Sequence, residues 1–95
     1  MKEKDIELKL KNTVKSMGGI ALKLMSPGFD GLPDRLVLLP YGKIAFVEVK
    51  VKGQKPRPLQ ETRHRQLRQL GFRVYILDDE GQIHPMLAEI GGGDE

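Results

Sequence analysis

Two apolar runs joined by a short turn constrain the fold of this chain more than any other feature. They lie within residues 31–51, which read GLPDRLVLLPYGKIAFVEVKV. Residues 35–40 and 43–51 each have the length and apolar content of a β-strand, and Tyr41-Gly42 between them indicates a hairpin. In residues 44–51 both alternating faces begin apolar, which is typical of a central strand covered on both sides.

The segments around this hairpin predict a small α/β domain. Residues 3–17 and 58–70 have the apolar spacing and boundary residues of helices, and residues 20–25 and 72–77 have the pattern of strands. The last strand follows a helical crossover, so we expect it to lie parallel to a neighbour. The predicted order is α-β-β-β-α-β, a mixed sheet flanked by helices, with a short, weak final helix over residues 83–90.

The size of the chain allows one domain. Its 95 residues are expected to form a single domain at residues 1–90, followed by a flexible tail at residues 91–95. The absence of cysteine excludes disulfides and thiolate metal sites and favours an intracellular, cytoplasmic setting. The N-terminus lacks the apolar core of a signal peptide, and no apolar run approaches the roughly 20 residues needed to cross a membrane.

Charge is distributed unevenly along the chain. Residues 50–73 carry eight basic side chains and one acid, whereas residues 74–95 carry six acids and no Lys or Arg. A basic stretch of this kind is the footprint of a partner that is a polyanion, although a solvated helix face gives the same pattern.

Two carboxylates fall within the predicted sheet, where an unpaired charge is costly to bury. Glu48 and Lys50 share one face of the third strand, and Asp34 lies where the second strand begins. A hairpin centred on Tyr41-Gly42 pairs residues whose numbers sum to about 83, which sets Asp34 near Val49, one position from Glu48 and Lys50. An acid and a lysine at a strand end are compatible with a solvated surface, but two converging acids favour a site.

A hard divalent cation with oxygen ligands resolves the repulsion between two such acids. Mg²⁺ fits because it accepts one or two carboxylates and keeps several waters. Such an ion can activate a water and neutralise charge on a phosphodiester under attack. Lys50 is then placed to orient the water or to offset charge in the transition state.

Motif and spacing together resemble a nuclease family. GLPDR followed by FVEVK is similar to the proline-aspartate, acid-x-lysine signature of the restriction-endonuclease-like superfamily. More narrowly, the chain resembles the VRR-NUC family, the virus-type replication-repair nuclease domains, over about residues 3–80. The resemblance also includes MGG, SPGFDGLPDRLVLLP and the segment from PLQ to FRVYIL. It implies a metal-dependent enzyme that cuts nucleic acid, and stand-alone members resemble Holliday junction resolvases and tend to be homodimers.

The family motif assigns roles to four side chains of this sequence. It implies that Asp34 and Glu48 are metal ligands and that Lys50 is the catalytic lysine. Gln60, in the first turn of the second helix, matches a glutamine of the family and is expected to reach a phosphate or a bound water. The predicted catalytic set is therefore Asp34, Glu48, Lys50 and Gln60.

Further ligands are expected around this set. The backbone carbonyl of Val49 is a predicted metal ligand, and Glu7 of the first helix matches an acid that such families place beside the metal. Glu3, one turn earlier, is the rival of Glu7. Phe29, in the loop before Asp34, is expected to pack on that loop or to act as a wedge in distorted DNA.

Backbone contacts to DNA are expected from the basic stretch, because such contacts give affinity with little sequence specificity. His64 is included, while His84 has no companion at metal-ligand spacing. Arg57 stands where the family often has a serine helix cap, so it is free to contact phosphate. The predicted DNA-binding residues are Lys52, Lys55, Arg57, Arg63, Arg65 and Arg68.

These observations predict an endonuclease that depends on Mg²⁺ or Mn²⁺ and acts on branched DNA such as a Holliday junction. A bacterial or phage-type setting fits this activity. A homodimer is expected because residues 20–25 resemble an apolar edge strand that needs cover from a twin or from the C-terminal segment. Two alternatives are a catalytically silent DNA-binding module on the same fold and an exonuclease acting on DNA ends. The intact set of Asp34, Glu48 and Lys50 argues against the first, and the sequence leaves the second open.

Overall fold

Helices and strands follow one another in the predicted order in the structure, a computed structural model that describes residues 2–92. The helices are α1 (Glu3–Ser16), α2 (Pro58–Gln69) and α3 (Ile83–Gly92). The strands are β1 (Ile20–Lys23), β2 (Arg35–Leu39), β3 (Lys43–Val49) and β4 (Arg73–Leu77). The predicted mixed sheet flanked by helices is confirmed, and the final helix is a regular one of 10 residues.

The C-terminal boundary differs from the prediction. α3 continues through Gly91 and Gly92, so these two residues are helical instead of belonging to a tail. The remainder of the predicted tail, residues 93–95, lies outside the described residues. Within the described part of the chain, none of the helices has the length and apolarity to span a bilayer.

The sheet places β3 at its centre and β1 at an edge, because the strand order is β1-β2-β3-β4. β1, β2 and β3 pair antiparallel, and β4 pairs parallel with β3, as expected for a strand that follows the α2 crossover.

The β2–β3 hairpin is shifted by one residue from the predicted register. Leu39 pairs with Lys43, because the turn uses the three residues Pro40–Gly42 instead of being centred between two. Continuing this pairing past the start of β2 sets Asp34 opposite Glu48 instead of opposite Val49. Directly opposed residues of an antiparallel pair point to the same face, so this correction brings the two acids closer.

One face of the sheet carries the hydrophobic core. The helices α1 and α3 cover it, and α1 does so with apolar residues spaced by four. The buried apolar side chains are Ile6, Leu10, Val14, Ala21, Val37, Leu39, Ala45, Val47, Val49, Leu77, Ile83, Met86, Leu87 and Ile90. In β3 these are the odd-numbered residues, so the even-numbered ones, including Glu48, face the other side.

α2 covers part of the opposite face, where it packs against β4. The buried side chains of α2 are Gln60 and His64. On the sheet, Phe46 of β3 packs edge-on against Phe72 with ring centres 5.6 Å apart. This side of the sheet therefore combines aromatic packing with a buried polar patch around Glu48.

Leu10→Ala is expected to lower the free energy of unfolding by about 2–5 kcal/mol, because it leaves a cavity between α1 and the sheet. Leu10 is 0% exposed. Leu8, on the same helix, is 59% exposed, so Leu8→Ala is a matched control with an expected effect within about 0.5 kcal/mol. Urea unfolding followed by circular dichroism measures both. Equal losses for the two variants would contradict this packing of α1.

Candidate active site

The carboxylate of Glu48 is the centre of the candidate site. Glu48 lies near the C-terminal end of β3, and its side chain is 1% exposed. Gln60 Nε2 donates a hydrogen bond to Glu48 Oε2 at 3.2 Å. Lys50 Nζ lies 3.8 Å from the same oxygen, and His64 Nε2 lies 3.7 Å from Oε1. One carboxylate oxygen therefore has a hydrogen-bond donor and the other has none among the described residues.

Asp34 reaches the same end of the sheet from the loop before β2. Its Oδ2 accepts a hydrogen bond from the Val49 N–H at 2.8 Å, and its main-chain carbonyl accepts one from the Leu24 N–H at 2.7 Å. These bonds attach Asp34 to β3 and to the chain after β1. The structure thus brings together Asp34, Glu48 and Lys50, the three residues of the predicted signature.

Burial raises the pKa of the Glu48 carboxyl to about 8. The charge of Asp34 and a hydrogen bond with it act in the same direction, while the positive charge of Lys50 opposes them. Without a cation, Glu48 therefore favours the neutral form at pH 7. A positive ion beside the two carboxylates would favour the charged form of both.

Gln60 orients Glu48 directly instead of pointing outward. Its Oε1 accepts a hydrogen bond from the Arg57 N–H at 2.9 Å, which leaves its Nε2 to donate to Glu48. The same bond satisfies a backbone N–H at the start of α2. α2 can therefore begin after Arg57, whose own side chain is a poor cap, with Pro58 at its first position.

His64 is the residue for which the sequence-based expectation was wrong. It was expected to contact DNA, but it is 2% exposed and lies on the inward face of α2. Burial, followed by the positive charge of Arg68, lowers the pKa of His64, so its imidazole is neutral at pH 7. The signal that identifies its position is its spacing of four from Gln60, which places both side chains on one helix face.

The two candidate glutamates of α1 have different surroundings. Glu7 Oε1 accepts hydrogen bonds from Arg35 Nε and Nη2, both at 3.3 Å. Glu3 lies close enough to Glu48 for its charge to raise the pKa of that carboxyl. Because Glu7 is paired with Arg35, Glu3 is the freer candidate for the acid that α1 brings to the site, and this role stays a prediction.

The donor set at this end of the sheet suits a hard divalent cation. Asp34 and Glu48 provide two carboxyl groups, the charge of Asp34 disfavours ionisation of Glu48, and Glu48 Oε1 has no hydrogen-bond donor among residues 2–92. In the same described range, no group of three or more His, Cys, Asp or Glu side chains is arranged to hold a metal. Mg²⁺ nevertheless fits, because it commonly uses one or two carboxylates and completes its shell with water and phosphate oxygens. The carbonyl of Val49 stays a predicted ligand.

The predicted DNA contacts divide into two groups. Arg63 is half-buried and attaches the loop before β2 to α2, because its guanidinium lies 3.8 Å over the Phe29 ring and its Nε donates to the Asp30 carbonyl at 2.8 Å. Gly31 allows this close approach, since a Cβ there would lie 2.8 Å from Leu59 Cγ. The predicted contacts on the surface are Lys52, Lys55, Arg57, Arg65 and Arg68.

Known proteins resemble this chain over most of its length. No protein-family model matches the chain. The chain is 50% identical over 80 residues to "Putative nuclease p44" of Acyrthosiphon pisum secondary endosymbiont phage 1, covering 84% of this chain and 86% of the relative. A solved structure described as a VRR_NUC domain matches with a TM-score of 0.85 and 35% identity, over 90% of this chain and 92% of that one. The chain belongs to the VRR-NUC family of nuclease domains.

Membership of the VRR-NUC family confirms the resemblance drawn from the two signature stretches. In this VRR-NUC domain, residues 31–35 lead into β2 and residues 46–50 end β3, so the antiparallel pairing places them side by side. The separation of the stretches along the chain is therefore the length of one hairpin.

Glu48→Gln should change how the stability of the domain depends on pH in EDTA. The folded-state pKa of Glu48 is raised from 4.5 to about 8, so between these values the folded protein binds more protons than the unfolded chain. This contribution to stability is fully present below pH 4.5 and is lost as the pH rises through 8. The wild type should therefore lose up to about 1.4 kcal/mol per pH unit relative to Glu48→Gln.

Urea unfolding of both proteins across this pH range measures the effect. Saturating Mg²⁺ is the control, because a cation favours the ionised carboxylate and should reduce the difference in slope. Parallel stability curves for the wild type and Glu48→Gln in EDTA would contradict the raised pKa.

Proposed function

We propose that this VRR-NUC domain is a Mg²⁺- or Mn²⁺-dependent endonuclease that hydrolyses phosphodiester bonds of branched DNA. The observation that supports it most is the convergence of Asp34, Glu48 and Lys50 at one end of the sheet, with Glu48 buried. Two converging acids destabilise the metal-free fold, and a module that only binds DNA has no need of them.

The carboxylates of Asp34 and Glu48 would hold the cation, with Glu3 and the carbonyl of Val49 as further candidate ligands. The ion, when bound, would polarise the phosphate and activate a water. Gln60 would keep the Glu48 carboxylate in one orientation through its hydrogen bond to Oε2. The proposed role of Gln60 is therefore to position Glu48, instead of the expected contact with a phosphate or a bound water.

Lys50 has the position of a group that acts on the reacting phosphate. Its side chain is 16% exposed and its Nζ lies 3.8 Å from Glu48 Oε2, so it lies between the carboxylate and solvent. A protonated lysine has three donors, which can orient the attacking water and offset the negative charge that develops on the phosphate. In the reaction, the water oxygen bonds to phosphorus and releases a proton to solvent, and the P–O bond to the leaving oxygen breaks as that oxygen takes up a proton.

The exposed basic side chains would bind the DNA backbone. They lie on α2 and on the loop that connects β3 to it, the same two segments that follow Lys50 in the chain. Contacts of this kind provide salt-sensitive affinity and carry little sequence information. Charge therefore supports nucleic acid as the substrate. Preference for a particular DNA structure requires a further structural feature.

We propose that a homodimer provides the selectivity for DNA structure. Ile20 and Leu22 of the edge strand β1 are 57% and 44% exposed, and their neighbours Leu36 and Leu38 of β2 are half-exposed on the same face. α3 packs against α1, β3 and β4, so the C-terminal helix leaves this apolar surface open. A two-fold dimer through it would cover the surface and present two sites to a four-way junction.

The wild type should cut labelled DNA with Mg²⁺ or Mn²⁺ and not in EDTA, and Lys50→Ala should lower the rate at least about 100-fold. Lys50 is one of many positive charges near the DNA, so binding measured by fluorescence anisotropy in Ca²⁺ should change little. Lys15→Ala is the control. Lys15 is an exposed lysine in the last turn of α1, at the opposite end of that helix from the turn that contains Glu3.

Two results would contradict parts of this assignment. Metal-dependent cutting by Lys50→Ala at the wild-type rate would remove Lys50 from the catalytic set. A wild type that binds DNA and metal ions without cutting in any condition would identify the domain as a catalytically silent DNA-binding module.

Light scattering at tens of micromolar protein should give twice the monomer mass of 10.7 kDa. Leu22→Glu should give a monomer, because it places a charge on the apolar face that the dimer would bury. Leu8→Glu is the matched control, since Leu8 is an exposed leucine of α1 outside this face. A monomeric wild type would contradict the dimer.

The substrate preference is tested with a linear duplex, a flapped duplex and a four-way junction at matched salt. We expect the junction to be cut fastest, with paired cuts on opposite strands that become single nicks in Leu22→Glu. Equal rates on duplex and junction would contradict structure selectivity and leave the nuclease assignment in place. Products that shorten only from DNA ends would identify an exonuclease.

A further inference from the structure

Two buried polar atoms of the site face each other without a hydrogen bond. Within the described chain, Glu48 Oε1 and His64 Nε2 are fully buried, have no partner, and lie 3.7 Å apart. This separation is too long for a hydrogen bond and too short for a bridging water, whose two partners lie about 4.5 Å apart or more. Buried polar groups are rarely left unpaired, so the arrangement indicates a contact that forms in another state of the site.

We propose that His64 is a positioning residue that donates a hydrogen bond from Nε2 to Glu48 Oε1 when a divalent cation is bound at Asp34 and Glu48. This inference rests on the proposed metal dependence. The two atoms need to approach by only about 0.8 Å to reach an ordinary hydrogen-bond length. A rotation of the carboxylate is enough, and an ionised carboxylate accepts on both oxygens.

The position of His64 on α2 determines what the proposed hydrogen bond to Glu48 would do. His64 follows Gln60 by one helical turn, and Gln60 already donates to Glu48 Oε2. With both bonds formed, the two oxygens of Glu48 are held by donors from consecutive turns of one helix. The orientation of the metal-binding carboxylate is then fixed by the position of α2, and the remaining acceptor sites of Glu48 are available to the cation.

A direct role for His64 as a metal ligand is less favoured. Mg²⁺ and Mn²⁺ favour oxygen ligands over an imidazole nitrogen. His64 Nε2 lies 3.7 Å from Glu48 Oε1, an oxygen of a proposed metal ligand. An imidazole that supports a ligand from outside the metal shell matches this geometry, and removal of such a partner typically lowers metal affinity about 10–100-fold.

The test is Mn²⁺ affinity, measured by electron paramagnetic resonance of the free ion on the full chain without DNA. His64→Asn should lower the affinity about 10–100-fold, because its amide is too short to reach Glu48, while His64→Gln should retain most of it. His84→Gln, at an exposed histidine of α3, should bind as the wild type does. Asp34→Asn removes a proposed ligand, so its Mn²⁺ affinity shows how large the loss is when the site itself is disrupted.

Thermal unfolding separates positioning from a structural role. For a positioning residue, His64→Asn should unfold near the wild-type temperature in EDTA and show a smaller rise on adding Mn²⁺. A variant that loses stability in EDTA but keeps the full Mn²⁺-induced rise would overturn the proposal. Equal Mn²⁺ affinity for His64→Asn, His64→Gln and the wild type would overturn it as well. A wild type that binds no Mn²⁺ would overturn the proposed function along with it.

Discussion

Burial of the Glu48 carboxylate on a central strand is the constraint on which the site depends. β2 and β4 flank it and α2 covers it, so its partners have to come from the protein. In place of water, Gln60 donates a hydrogen bond to Glu48 and Lys50 provides a positive charge. Asp34 acts against them, because its charge raises the pKa of Glu48. An apolar residue at this position would stabilise the metal-free fold. The chain therefore keeps a destabilising group at this place, which is the physical signature of a functional site.

The two faces of the sheet have different tasks. α1 and α3 contribute to the apolar core on one face, and the side chains of Glu48, Gln60 and His64 lie outside that core. α2 is held on the other face by polar contacts: Gln60 donates to Glu48, and Arg68 Nη2 donates to the Val74 carbonyl at 2.9 Å. α2 therefore contacts the site with its buried side chains and bears basic residues on its exposed surface.

The elements of this fold could be predicted because alternation and helical spacing are local properties. The register of the β2–β3 hairpin could not, since Pro40–Gly42 can form turns of two or three residues and the choice depends on packing of the whole sheet. Glu3 and Glu7 could not be told apart either, because their spacing places them on nearly the same face of α1. What separates them is Arg35, which binds Glu7 across the sheet surface. The burial of His64 could not be predicted either, because it lies between Arg63 and Arg65 in the sequence. That the helix face it shares with Gln60 points inward is visible only in the structure.

The basic stretch of the sequence lies on α2 and on the loop that precedes it. The acids of residues 78–80 follow β4, and one of them, Glu80, pairs with Lys9 of α1 at 3.4 Å. A polyanion would therefore be attracted to the basic side chains of α2 and its preceding loop, next to Glu48 and Lys50. This steering brings any phosphate backbone to the site without distinguishing a junction from a duplex. Selectivity for branched DNA would have to arise from the spacing and angle between two sites. In the proposed dimer, the contact across the exposed apolar edge at β1 would set that geometry, so substrate choice would depend on residues that touch neither the metal nor the DNA.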